Sequence, residues 1–231
     1  NDLQLKAAQT ASHMLQSKNG YSYTKIMASE GQSVQVLHFV KRFETSQDFK
    51  IYVETLFEDL SFSKDISHTK FENALAEIGR FIGFYTQEPE AEFGNGPDVL
   101  WVMTDNHYLV LEAKSRAIHD EITRDNINQL LGSGEWFKKL YGPAANHNLV
   151  TLQPPNIKGW NVNTSPNTRV IDEDSLDLMK FPMEVVYGQS VINNTDIEIK
   201  VDDVGVALIL FSIILFKLLN RREICIALLL K

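Results

Sequence analysis

The chain has one cysteine, Cys225, among 231 residues. That excludes a disulfide framework and a cysteine-rich zinc site, and it fits a reducing compartment, so a cytoplasmic location is expected. Basic residues are in deficit: 22 Lys and Arg stand against 30 Asp and Glu, a formal net charge of −8. A protein that coats nucleic acid by bulk electrostatics is normally basic, so that class is disfavoured. No G-x-x-x-x-G-K-[ST] phosphate loop occurs, so no nucleotide-driven motor of that type is encoded in this chain. There is no internal repeat and no basic-then-apolar leader. The chain opens on Asn1-Asp2-Leu3, which reads as a piece of something longer. No apolar run reaches the roughly 20 residues of a membrane-spanning helix. The longest, Val204 to Phe216, is interrupted only by Gly205 and Ser212 and is followed by Lys217. It reads as a buried or interface helix, with no membrane partner.

What remains is an ordinary globular composition, 44% apolar and 23% charged, enough to build a core without staples. Three parts are expected. Residues 1–67 form a mostly helical segment, with apolar positions at helical spacing in Leu3 to Leu15, Val34 to Phe43 and Phe49 to Leu60. Residues 68–190 form an α/β unit. Its elements are a helix over Phe71 to Ile82 capped by Thr69 and a hairpin of Pro97 to Met103 with Tyr108 to Lys114. A long helix from Ile122 to Tyr141, a strand from Asn148 to Leu152, a strand at Arg169 to Ile171 and a helix from Asp174 follow. Residues 191–231 are apolar and expected to pack as helices, with homo-oligomer contact as one use of them.

The chemistry is concentrated in the hairpin. Side chains alternate along a strand, so Tyr108, Val110, Glu112 and Lys114 share one face. Two charges thus fall at the end of a strand that is otherwise apolar on both faces, as in a central strand. Burying them is costly unless something compensates. Asp98 sits across the hairpin, and two carboxylates about 5 Å apart repel by roughly 3 kcal/mol at an effective dielectric of 20. A divalent cation reverses that sign, and oxygen ligands favour Mg²⁺ or Mn²⁺. Metal held this way would also let an acidic chain approach DNA phosphates.

Pro97-Asp98, a hairpin and Glu112-Ala113-Lys114 resemble the PD-(D/E)xK motif of the restriction-endonuclease-like nucleases. The wider string Phe71 to Gly79, Gly83-Phe84, Pro89-Glu90 and Gly94 to Trp101 resembles nuclease domains appended to DEAD/DEAH-type helicases in prokaryotic defence proteins. The resemblance implies a central mixed sheet flanked by helices, with extra N- and C-terminal helices. It implies a Mg²⁺-dependent deoxyribonuclease with DNA as substrate and a helicase domain or subunit as partner. Asp98 and Glu112 would be metal ligands together with a carbonyl of the intervening residue, and Lys114 the group that orients or activates water.

Family members often add an acid from the first helix. Helical geometry places Glu72 beside the buried face and Glu77 toward solvent, so Glu72 is the expected further ligand and Glu77 the alternate. On the long helix, Asn126, Gln129 and Ser133 line one flank, and Gln129 is the expected contributor to the site. His107 and His119 have no partners at ligand spacing, Arg116 and Arg124 are candidate phosphate contacts, and Trp101 reads as core. The competing reading is a catalytically weak nuclease-like fold that binds nucleic acid or assembles with partners, which the acidic charge favours.

Overall fold

The structure, a computed structural model, describes residues 23–180 apart from 104, 118–119, 156 and 160–161. The helix expected over Leu3 to Leu15 and the apolar segment of 203–230 lie outside the described residues, as does His119.

Three helices lead into a sheet. They are α1 (Gln32–Val40), α2 (Ser46–Asp59) and α3 (His68–Phe81). The last starts earlier than expected, because Ser67 rather than Thr69 is the N-cap: its hydroxyl accepts the Lys70 N–H at 3.2 Å. After Gly83 come β1 (Tyr85–Gln87), the one-turn α4 (Pro89–Phe93), β2 (Val99–Val102) and β3 (Tyr108–Ala113). Then α5 (Arg124–Tyr141), begun by Thr123 as N-cap, leads to β4 (His147–Leu152) and β5 (Thr168–Ile171). Residues 173–180 are helical.

The strands form one five-stranded mixed sheet in sequence order, β1 to β5. The first three are antiparallel; β4 and β5 add parallel to β3. This makes β3 the central strand, and all six of its residues are buried. The parallel step from β3 to β4 needs a crossover, and α5 provides it.

Alternation along β2 and β3 separates two cores. Val99, Trp101, Leu109, Leu111 and Ala113 join the α3 side, together with Phe71, Leu75 and Ile78. Leu100, Val102, Tyr108 and Val110 join Ile127, Leu130 and Phe137 of α5 on the other side. The helices on the two sides of the 67/68 division share the first of these cores, since Phe39, Phe49 and Val53 pack in it with Phe71 and Phe81. An extended segment before α1 crosses the second core: the Tyr23 hydroxyl meets that of Tyr141 at 2.8 Å and Ala28 N–H donates to Asn106 at 2.9 Å. No helix among the described residues is long and apolar enough to cross a membrane.

Gly79 sets how closely α3 approaches the sheet. A Cβ there would lie 2.5 Å from Trp101 Nε1 and 2.6 Å from Thr86 Cγ2. Trp101 is fully buried and cannot swing away. Gly79→Ala is therefore expected to destabilise the fold by about 1–3 kcal/mol, the cost of overpacking. Thermal melting of the variant checks this, with a midpoint lowered by about 2–10 °C.

Candidate functional site

The site lies at the end of the central strand, on the α5 side of the sheet. In the antiparallel register Val99 opposes Leu111, so Asp98 comes opposite Glu112, on the same face as Leu100 and Val102. Both carboxylates are buried, at 7% and 1% exposure. Each is anchored by a donor. Asp98 Oδ2 accepts the Ala113 N–H at 2.7 Å, and Glu112 Oε1 accepts the Ser133 hydroxyl at 2.5 Å. Lys114 Nζ is 3.4 Å from Glu112 Oε2 and keeps 19% exposure, so its ammonium bridges the buried pair and the surface.

These contacts do not neutralise the pair. Burial, and then the facing Glu112 charge, push the Asp98 carboxyl up to about 6. Burial also raises Glu112, against the opposing pull of the Ser133 hydrogen bond and Lys114. Two buried anions held face to face, with one ammonium 3.4 Å from Glu112, are short of positive charge.

Two more carboxylates lie nearby: Glu90 beside Asp98, and Glu72 near Glu90 and Lys114. Glu72, half-buried on the second turn of α3, is raised by burial and by Glu90, while Lys114 pulls it the other way. Glu90 is on α4, whose first turn is hooked to the site strand by Glu90 N–H donating to Pro97 O at 3.2 Å. Its carboxyl lies beside that of Asp98, the main reason it is raised. The sequence signal for α4 was Pro89, a residue suited to the first helical position. Gly96 makes the turn between α4 and Asp98: its φ is +125°, and a Cβ there would lie 2.8 Å from both Pro89 and Trp136.

Glu77 lies elsewhere. Its expected solvent exposure is corrected by the packing of α1 and α2 against α3. It is half-buried among Arg42 (2.9 Å), Arg80 (2.5 Å) and the Tyr52 hydroxyl. Burial works to raise it, but those donors hold it below the ordinary carboxyl range. Glu72→Gln is expected to change melting little. Glu77→Gln is expected to cost about 1–3 kcal/mol of stability, since it leaves two guanidinium groups without their anion. Melting curves of the two variants separate them.

The α5 flank divides three ways. Ser133 is buried on Glu112, Asn126 donates to Gln153 Oε1 at 3.0 Å, and Gln129 is exposed. Ser133 thus touches a carboxylate of the pair, and Gln129 lies at the surface. At about 100° per residue, Gln129 is about 60° further round than Asn126, away from the arc of Ile127, Leu130 and Phe137. Arg124 is exposed, and Arg116 Nε donates to Ile66 O at 2.7 Å. His107 is tied to Asn148 at 2.6 Å.

The donor set fits a hard divalent cation. It is all oxygen, it is anionic, and its two central members repel each other. No group of three or more His, Cys, Asp or Glu side chains among the described residues forms a ready-made cage, so the fit rests on the Asp98 and Glu112 pair. In comparisons with family models, with curated proteins and with solved structures, none matched this chain.

Proposed function

We propose that this protein is a metal-dependent nuclease that hydrolyses DNA phosphodiester bonds within a larger helicase–nuclease or genome-defence system. One observation carries the reading: Asp98 and Glu112 are buried face to face at the end of the central strand, with Lys114 two residues on along the same face. The element order supports it. A helix, a three-stranded antiparallel meander, a second helix and a parallel strand is the arrangement expected of a restriction-endonuclease-like core. The helicase context rests on the motif string from Phe71 to Trp101.

In this reading Asp98 and Glu112 hold Mg²⁺ or Mn²⁺. When bound, the ion lowers the pKa of water and polarises a phosphate oxygen. The protein supplies the rest. Ser133 fixes the Glu112 rotamer, and the Ala113 N–H fixes Asp98, so both ligands are set before substrate arrives. Lys114 presents a point charge toward the negative charge that develops on the phosphoryl group.

The test is incubation of the purified protein with supercoiled and linear DNA in Mg²⁺, and again with EDTA. Nicking or linearisation that needs Mg²⁺ is the expected result. Retention of DNA in a gel with no cutting in either Mg²⁺ or Mn²⁺ would replace the nuclease by the binding-module reading.

A further inference from the structure

Gln153 follows the last residue of β4 and is completely buried. Glu112 pairs with Thr151 in the parallel register, so Lys114 and Gln153 are the next neighbours along the same face. The two strands stay joined at this level, because Lys114 N–H donates to Leu152 O at 2.7 Å. The Gln153 carboxamide is held from one side only: Asn126 of α5 donates to its Oε1 at 3.0 Å. Its Nε2 has no hydrogen-bond partner among the described residues, and neither has the neighbouring Thr151 hydroxyl. A buried amide donor without a protein acceptor is costly, and it is met by water, an ion or a ligand or serves a function. Ordinary packing would favour an apolar side chain in this position. Fixing Oε1 on Asn126 decides which end of the amide is free, and the free end is the donor.

We infer that Gln153 is a substrate-binding residue, its amide donor beside Lys114 taking a non-bridging oxygen of the scissile phosphate, with Asn126 as the positioning residue that sets the orientation. The inference rests on the nuclease reading. It adds to the site a neutral donor that an acidic chain can direct at a phosphate without adding charge. Neither residue belongs to the motif. The link is the register between β3 and β4 and the single contact from α5.

The experiment measures Mg²⁺-dependent cleavage of a DNA duplex and of a single-stranded oligonucleotide by the full chain. It compares wild type, Gln153→Met, Gln153→Glu and Asn126→Asp. Gln153→Met keeps the shape and removes the amide. Gln153→Glu keeps the acceptor for Asn126 but has no donor. Asn126→Asp offers an acceptor where a donor stood, which turns the Gln153 amide round. Each is expected to lower kcat about tenfold to hundredfold with KM within about threefold of wild type. The Gln153→Met, Asn126→Asp double variant is expected to be no slower than the slower single, since both act on one contact. If Gln153→Met does not fold, the other two substitutions carry the test. Variants that melt lower but cut at the wild-type kcat would make the pair a structural contact and overturn the inference alone. A wild-type protein that cuts neither substrate would remove the nuclease reading and this inference with it.

Discussion

Asp98→Asn and Glu112→Gln proteins are each expected to lose Mg²⁺-dependent cleavage by three orders of magnitude or more while remaining folded. The amide substitutions are the right ones because of the anchoring contacts. Asp98 accepts the Ala113 N–H and Glu112 accepts the Ser133 hydroxyl, both in buried positions. Alanine would orphan those donors and confuse lost chemistry with lost stability. An amide keeps an acceptor oxygen in place but removes the charge that holds a divalent cation. The same change should stabilise the metal-free protein. The Asp98 carboxyl titrates near 6 in the folded chain against 3.8 ordinarily, so the folded state holds more protons than the unfolded state between those values. Its contribution to stability is therefore full below about pH 4 and is lost as the pH rises through about 6. Asp98→Asn removes that loss. The metal-free variant is expected to melt about 5 °C above wild type at pH 8 and close to it at pH 4. Scanning calorimetry in EDTA at the two pH values checks this. A wild type that melts above the variant at pH 8 would mean the pair is not frustrated.

Lys114→Met is expected to reduce cleavage by about 10²–10³-fold, the usual cost of removing one donor aimed at developing negative charge. The ammonium is 3.4 Å from Glu112 and partly open to solvent, so it can serve both the ligand and an incoming phosphate. Methionine keeps the length of the stem and packs the same walls. Lys114→Arg is expected to rescue poorly, because a planar fork does not fit the space of a compact point charge between buried carboxylates. Single-turnover rates at saturating Mg²⁺ decide it. A Lys114→Met rate within a factor of three of wild type would remove Lys114 from the machinery.

The hairpin was legible in the sequence because two short apolar runs with β-branched and aromatic residues, Val99 to Val102 and Tyr108 to Ala113, flank a polar turn. The alternation of side chains along any strand then put Glu112 and Lys114 on one face. The elements that escaped were short ones. β1 has three residues and α4 five, both inside a polar stretch with no period long enough to detect. Glu90 was invisible as a neighbour of Asp98 for that reason, since the hook of α4 on Pro97 is a tertiary contact. The α5 flank could be drawn, but not which side of it faces Glu112. That depends on how the crossover helix rolls against β3 and β4, and the roll brought Ser133 in and left Gln129 out. Glu77 went astray because Arg42 and Tyr52 come from the preceding helical region, which sequence periodicity describes one helix at a time.

The proposed function requires the two buried carboxylates, Asp98 and Glu112, to take up a divalent cation. Calorimetric titration of Mn²⁺ into wild-type, Asp98→Asn and Glu112→Gln protein at pH 7.5 tests it most directly. Wild type is expected to bind Mn²⁺ with release of protons, and each variant to bind at least tenfold more weakly, with correspondingly less proton release. Identical binding isotherms for the three proteins would contradict the account.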